Sequence, residues 1–189
     1  MRLKNEKMKE LSLHILDIIE NSVSGGACRI EVNIAINESE DLLTIQVLDD
    51  GRGMDGETLS QVTDPFYSTR TTRKIGMGIS LFKQQAEQTG GEFNIKSEVG
   101  KGTEVTASFG LSNIDRQPLG DLAGVIVNSA ASFVDIDIVL NISTSYGVFH
   151  FSSHDVRKIM DGMPMNSPGV MVGLKELIET NMTDIKLIN

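Results

Sequence analysis

Apolar residues at the start of the chain follow two different spacings. From Leu11 to Val23 they recur at helical intervals, and the pair Gly25-Gly26 follows as a stop signal. From Ile30 to Ile36 they alternate strictly with polar residues, which is typical of a strand with one buried face. The pattern therefore predicts an opening helix followed by a half-buried strand.

The same two spacings continue to residue 111. They predict a second strand over 43–47, a short helix over 57–62, a loop over 63–75, a helix from 76 to about 88, and two strands over 93–95 and 105–109. Hairpin-like connections between the strands indicate a mixed sheet with helices on one face. The expected fold class is α/β (α+β), a two-layer sandwich of a mixed sheet covered by helices.

The remaining residues predict a separate C-terminal part. Residues 112–120 (SNIDRQPLG) have the composition of a linker. Beyond them we expect a helix near 121–132, strands over 136–142 and 147–151, and helices near 155–161 and 169–180, with Ser153 or Ser167 as candidate caps. The expected domains are 1–111, a linker over 112–120, and a small α/β appendage over 121–189.

Composition narrows the class of protein. The formal net charge is −9, apolar residues make up 40% and charged ones 23%, which is typical of a globular chain that can bury a core. The acidic excess is spread along both parts and there is no basic stripe, so nucleic-acid binding is disfavoured. The single cysteine, Cys28, excludes an intramolecular disulfide and a cysteine metal cluster, and it fits a reducing compartment.

The N-terminal basic residues resemble the start of a signal peptide, but the stretch that follows does not continue one. His14, Asp17 and Glu20 interrupt it, so we predict neither a signal sequence nor a membrane span. We expect a cytoplasmic protein that does not associate with a membrane.

The first candidate for chemistry is the pair Asp17 and Asn21 on the opening helix. Residues four apart share one helical face, and here the apolar residues occupy the other. An amide oxygen is a hard ligand for Mg²⁺, and a carboxylate can polarise a water or hydroxyl. The alternative is a solvated helix face without function.

Two glycine-containing motifs follow strands or open a helix. In 49–53 (DDGRG), Asp49 can accept a hydrogen bond from an amine while Gly51 and Gly53 allow close backbone approach, although the same sequence is typical of a simple turn. Gly76-Met77-Gly78 exposes backbone N–H groups at a helix start, where phosphate is favoured. It is neither a P-loop nor a dinucleotide fingerprint.

The order of these motifs is more specific than any one of them. LDIIENSVSGGA, LDDGRGM, DPFYSTRTTRKIGMGISLF and SEVGKGTEV resemble the N, G1, F/G2 and last glycine boxes of the Bergerat-type ATP-binding fold shared by gyrase, the heat-shock chaperone, histidine kinases and MutL, the GHKL superfamily. The resemblance covers residues 10–110 and is closest to the histidine-kinase-like ATP-binding domain, without a dimerisation and phosphoacceptor domain.

The resemblance implies ATP and Mg²⁺ as cofactors. Asn21 would ligate Mg²⁺, Asp49 would accept the adenine amino group with Thr103 supporting it through a water, and residues 66–75 would be the ATP lid. Asp17 would be the catalytic residue. The implied nucleotide-binding residues are Asn21, Asp49, Gly51, Gly53, Met54, Phe66, Arg70, Arg73, Lys74, Gly76, Met77, Gly78, Ile79 and Thr103.

Three departures from the family pattern limit what the resemblance implies. Asp17 stands where hydrolysing members carry Glu, so its carboxylate is one methylene shorter, and Ser24 stands where many histidine kinases carry a basic residue. Only about ten residues precede the N-box helix, too few for a phosphoacceptor hairpin. We expect His14, inside that helix, to be a partly buried or pocket-rim residue, and His150 and His154 to be structural.

Two functions remain open. The first is a Mg·ATP-dependent protein kinase in bacterial signalling or regulation, transferring phosphate to a protein partner as the anti-sigma-factor serine kinases do. The second is a binding switch that reports ATP to a partner with little or no turnover. Five of the nine methionines fall within 160–182, so we expect a region for partner docking or homodimerisation there, or an ordinary core.

Overall fold

The computed structural model describes residues 10–62, 77–160 and 162–187. These residues form one mixed six-stranded sheet and six helices. The elements in chain order are α1 (Leu11–Ser24), β1 (Arg29–Asn37), β2 (Leu42–Asp49), α2 (Gly56–Gln61), α3 (Met77–Gln88), β3 (Phe93–Glu98), β4 (Gly102–Gly110), α4 (Leu122–Ser132), β5 (Asp137–Thr144), β6 (Gly147–Ser152), α5 (Ser153–Ile159) and α6 (Pro168–Asp184).

The strand order in the sheet is β3-β4-β2-β1-β5-β6. All neighbouring strands are antiparallel except β1 and β5, which run parallel and pair Arg29 with Asp137 at one end of the ladder. The alternation in β1 matches its burial, since Val32 and Ile34 are buried and the residues between them are more exposed. The expected fold class, a mixed sheet covered by helices, is confirmed.

The helices cover the sheet, and each of α1, α3 and α4 packs on strands that lie near it in sequence. Helix α1 packs on β1 and β2, α3 packs on β3 and β4, and α4 packs on β5. Side contacts join α1 to both α3 and α4, and α4 to α6. The central position of α1 therefore places its exposed face beside the start of α3.

The predicted C-terminal appendage continues the same sheet. Strand β5 lies next to β1, and the core residues of both parts form one hydrophobic cluster that includes Ile126, Leu140 and Ile178. The boundary predicted at 112–120 therefore marks a change of region along the chain and not a break in the sheet.

Residues 112–120, the predicted linker, are held against the N-terminus of α1 by backbone hydrogen bonds. The carbonyl oxygens of Pro118 and Leu119 accept hydrogen bonds from the first backbone N–H groups of α1, those of Leu11 and Ser12, each at 2.9 Å. Leu119 is itself buried in the core. Because the first N–H groups of a helix have no partner within the helix, this segment supplies the partners that α1 needs.

The cap of α5 differs from the expected one. Ser152, not Ser153, is the N-cap, and its hydroxyl accepts a hydrogen bond from the Asp155 N–H at 3.2 Å. Ser153 is buried, and its hydroxyl accepts from the Ile138 N–H at 2.9 Å. Ser167 stands at the N-cap of α6 but makes no side-chain capping bond. Sequence spacing did not distinguish the adjacent serines, since both fit the start of a helix.

No helix among the described residues is long and apolar enough to span a bilayer.

The two serine positions make a matched test of this cap. Ser152→Ala removes the capping bond and a second bond, from its hydroxyl to Asp137 Oδ1 at 2.9 Å, so the free energy of unfolding should fall by about 1–2 kcal/mol. Ser167→Ala removes no capping bond and should change it by less than about 0.5 kcal/mol. Urea unfolding measures both, and equal effects of the two substitutions would contradict the assignment.

Candidate nucleotide site

The Asp49 carboxylate joins three segments of the chain. Its Oδ1 accepts hydrogen bonds from the backbone N–H groups of Gly51 at 2.9 Å and Thr103 at 3.2 Å. Its Oδ2 accepts from the Ser22 hydroxyl at 2.7 Å. Since each carboxylate oxygen has about two acceptor positions, Oδ1 is fully used and Oδ2 retains one acceptor position with no partner in the described parts of the chain.

Glycines allow the backbone around Asp49 to close tightly. Gly53 has a φ of +65°, and a Cβ there would collide with the Glu98 carbonyl oxygen. Gly102 has a φ of +96°, and a Cβ there would collide with the Asp49 carbonyl oxygen. At Gly51 a Cβ would lie 3.0 Å from both Asp49 Oδ1 and the Gly25 carbonyl oxygen. The end of β2 thus packs directly on the β3–β4 turn and on the end of α1.

A hydroxyl pair supports the same corner from β3 and β4. Ser97 Oγ lies 2.9 Å from Thr103 Oγ1 and accepts a hydrogen bond from the Met54 N–H at 2.8 Å. Thr103, expected to support Asp49 through a water, contacts it directly through its backbone N–H. Met54 is half-buried in this corner, as is Gly53.

The second part of the site lies where α1 meets the start of α3. Asp17 is half-buried there, and a Cβ on Gly78 would collide with its carboxylate, so the two helices approach as closely as a glycine permits. Ile79, next along α3, is buried in the core and anchors this end of the helix. A helix start presents unpaired N–H groups and a positive dipole end, which favour anionic groups.

Burial raises the pKa of the Asp17 carboxyl above its ordinary value of 3.8, and the neighbouring Glu20 carboxylate raises it further. Asn21 lies one turn further along the same face of α1, and its side chain is exposed. A more basic carboxylate, which lies against the start of α3, and an exposed amide therefore lie one turn apart on α1.

Part of the predicted site lies outside the described residues. These positions are Phe66, Arg70, Arg73, Lys74 and Gly76, together with the side chain of Met77. The positions that the structure describes form two groups. One surrounds Asp49, near the C-terminal end of α1, and the other surrounds Asp17, near the middle of that helix.

Sequence reasoning missed three residues of this site. Ser22 was overlooked because it directly follows Asn21, yet the adjacent helical position turns it toward Asp49. Ser97 is the first residue of the SEVGKGTEV box, where the glycines and Thr103 were the positions considered, and its hydroxyl pairs with that of Thr103. Gly102 also belongs to the SEVGKGTEV box. Two glycines flank Lys101 there, and such a pair is typical of a turn in which a glycine adopts a positive φ, as Gly102 does.

The described residues contain no group of three or more His, Cys, Asp or Glu side chains that could hold a metal ion. A metal ion at this site would therefore need ligands from outside those side-chain types, such as the Asn21 amide oxygen and phosphate oxygens.

Comparison with solved structures supports the fold. The crystal structure of the N-terminal domain of a DNA repair protein superimposes with a TM-score of 0.55 at 16% sequence identity, covering 77% of this chain and 52% of that one. At this identity the likeness shows a shared fold only.

Comparison with curated proteins finds sensor proteins. The sensor protein SrrB of Staphylococcus aureus is 38% identical over 103 residues, which is 52% of this chain and 17% of SrrB. The chain thus spans about one sixth of the length of this relative, so the likeness concerns one domain of it.

A family model described as histidine kinase-, DNA gyrase B- and HSP90-like ATPase matches residues 7–113. That range covers more than half of the chain and contains both groups of site residues, those around Asp49 and those around Asp17. The chain therefore belongs to the histidine kinase-, DNA gyrase B- and HSP90-like ATPase family, and it carries an ATP-binding domain of the histidine-kinase-like type.

Proposed function

We propose that this protein is a Mg·ATP-dependent protein kinase module that transfers the γ-phosphoryl group to a hydroxyl of a protein partner. The observation that carries the proposal is Asp17, a carboxylate whose pKa is raised and which lies against the start of α3. A carboxylate that is more basic than usual, at the phosphate end of a nucleotide site, is suited to accept a proton.

The adenine end of the proposed site is formed around Asp49. The exocyclic amine of adenine is a hydrogen-bond donor, and the remaining acceptor position on Asp49 Oδ2 is the matching group. Gly51 and Gly53 let the backbone approach a flat ring, and the three bonds to Asp49 fix its orientation before a ligand binds.

The phosphate end is formed by the start of α3. Its first backbone N–H groups favour phosphate, but the Asp17 carboxylate lies against them, and the Glu20 charge acts on Asp17 from the next turn of α1. Phosphates would be repelled there unless a cation offset the charge, which supports Mg²⁺ as the counter-ion. Asn21 would hold the ion through its amide oxygen, and bound Mg²⁺ would supply charge neutralisation on the phosphates.

In the proposed reaction Asp17 accepts the proton of the acceptor hydroxyl. The hydroxyl oxygen forms a bond to the γ-phosphorus while the bond from that phosphorus to the β–γ bridging oxygen breaks, and ADP leaves. Asp17 also orients the hydroxyl, because its carboxylate is confined between α1 and α3. Phosphoryl transfer depends mainly on such positioning and on charge stabilisation.

A second candidate function is a switch that binds a partner according to the nucleotide present. It is favoured by exposed apolar side chains on the C-terminal part, which are Ile159, Met163, Val172 and Leu177. A partner or a second copy of the chain would cover such side chains on binding. In this case ATP must favour one arrangement of the protein over another, since equal affinity for both shifts nothing.

Substituting Asp17 separates the two functions. Asp17→Asn should keep ATP binding but slow phosphoryl transfer at least about 100-fold, because the proton acceptor is lost. Incubation with labelled ATP and a cell extract, followed by detection of the labelled protein, measures transfer. Wild-type transfer that survives the substitution would contradict the role of Asp17, and wild-type ATP binding without any transfer would favour the switch.

The same variant has a predicted effect on stability. The raised pKa means that the ionised carboxylate is disfavoured in the folded state, so Asp17→Asn should increase the free energy of unfolding at neutral pH. The sign follows from protonation: the penalty grows as the pH rises from the ordinary value of 3.8 through the raised pKa, and it vanishes in acid. Urea unfolding at neutral and acid pH tests this, and no gain at neutral pH would contradict it.

Asp49→Asn tests the adenine contact while keeping both bonds to Oδ1, although the acceptor of the Ser22 hydroxyl, Oδ2, becomes an NH₂ group. Its amide oxygen can still accept from Gly51 and Thr103, while its NH₂ group replaces Oδ2 and presents a donor to the adenine amine. Affinity for ATP should fall about 10- to 100-fold, with GTP, whose base presents a carbonyl oxygen at that place, losing less. Glu38→Gln removes the same charge from the surface and should leave both affinities unchanged.

Gly78→Ala tests the close approach of the two helices. Alanine favours a helix, but here its methyl group would collide with the Asp17 carboxylate, so unfolding free energy should fall by about 1–3 kcal/mol and ATP affinity should fall with it. Gly173→Ala on α6 meets open space and should stabilise by about 0.5–1 kcal/mol. Stabilisation by both substitutions would show that Asp17 and Gly78 are not in contact.

A further inference from the structure

His14 is a buried histidine in the helix that carries Asp17. Its side chain is 1% exposed, and it lies one turn before Asp17 on α1. Its Nε2 donates a hydrogen bond to Gln117 Oε1 at 3.1 Å, while Nδ1 is buried and makes no well-formed hydrogen bond with any described residue. A packing role alone would be filled more cheaply by an apolar residue, because a buried polar atom without a partner is costly.

The His14 ring touches α3 at the phosphate end of the site. It lies against Phe82 of α3, with ring centroids 5.4 Å apart and the ring planes tilted by 31°. Burial lowers the pKa of His14, while the Gln117 side chain and the Gly78 backbone raise it. Gly78 is also the residue that contacts Asp17. A displacement of the first turn of α3 would therefore be felt at the same time by Asp17 and by His14.

On its other side His14 contacts the segment that leads to the C-terminal part. Gln117 precedes Pro118 and Leu119, whose carbonyl oxygens hold the first N–H groups of α1. Asp121 follows as the N-cap of α4, which packs on both α1 and α6. A path thus runs from Phe82 on α3 through the His14 ring to Gln117, and from there along the chain through Pro118 and Leu119 to the start of α4.

We propose that His14 and Gln117 couple the nucleotide site to the C-terminal part of the protein, with His14 as a positioning residue. The proposal rests on the nucleotide binding proposed above and concerns its regulation. When the γ-phosphate of ATP binds at the start of α3, a shift of the first turn of that helix would move the His14 ring. Gln117 would pass the displacement to α4 and to the exposed apolar side chains around α6.

Hydrogen exchange on the full chain, with and without saturating Mg·ATP, tests the coupling. In the wild type, ATP should slow exchange in residues 112–132 at least about fivefold, which is the lower end of ordinary coupling between sites. His14→Leu keeps the volume but removes the bond to Gln117, so ATP should still bind and the slowing should disappear. His14→Gln keeps an N–H donor at the place of Nε2 and should restore it.

Gln85→Leu is the matched control. Gln85 Nε2 donates to the Asp115 carbonyl oxygen at 2.8 Å, which is a bond from α3 to the same segment but two turns further from Gly78. Its loss should leave the ATP effect intact. Gln117→Leu breaks the proposed path from the other side and should behave as His14→Leu does, which keeps the test decisive if a His14 variant fails to fold.

The outcomes distinguish this inference from the proposed function. If the wild type does not bind ATP, the proposed function is wrong, and the coupling that rests on it is wrong as well. If ATP binds and exchange in 112–132 is unchanged, or if the effect persists in both Leu variants, the coupling is wrong. Equal loss in Gln85→Leu would also overturn it, because general packing and not His14 would then transmit the change.

Discussion

The arrangement of this protein depends on the hydrogen bonds of one carboxylate. Asp49 binds Ser22 on α1, Gly51 after β2 and Thr103 on β4, so it fixes the helix, the loop and the sheet to one another at a single point. A carboxylate can do this only where the surrounding backbone approaches closely, and Gly53 and Gly102 permit that approach. The bonds also leave one acceptor position on Oδ2 with no partner among the described residues, and that position is the basis of the proposed adenine contact.

Charge explains why the site has two separate ends. The chain carries a net charge of −9 and places Asp17 against the start of α3, with Glu20 close enough to act on it, so the proposed phosphate end is a place that disfavours further negative charge. In the proposed site the helix start and a counter-ion would offset that field at the phosphates, while the neutral base would be recognised near Asp49. Burial raises the pKa of Asp17, the neighbouring Glu20 charge raises it further, and both favour its proposed role as proton acceptor.

The sequence predicted local elements well because their causes are local. The alternation of apolar and polar residues in 30–36 is enough to predict β1, and the glycines at 25–26 are enough to predict the end of α1. The site residues of 49–53 are likewise contiguous in sequence. Pairing of β1 with β5 joins Arg29 to Asp137, and no pattern in either strand specifies a partner so distant in sequence. The composition of 112–120 predicted a linker, and it gave no sign that Leu119 is buried or that the segment bonds to the start of α1. We expected His14 to be partly buried or at a pocket rim, but it is buried. The residues that cover it, on α3 and at Gln117, are far along the chain, so no local pattern indicated them.

The most direct test of the central claim, that Asp49 and the start of α3 form one Mg·ATP site, is calorimetric titration of the purified chain with ATP in the presence of Mg²⁺ and again in the presence of EDTA. The account predicts saturable binding of one ATP per chain that weakens strongly without Mg²⁺, since the acidic phosphate end then lacks its counter-ion. No binding under either condition would contradict the account, and binding that is indifferent to Mg²⁺ would contradict its description of the phosphate end.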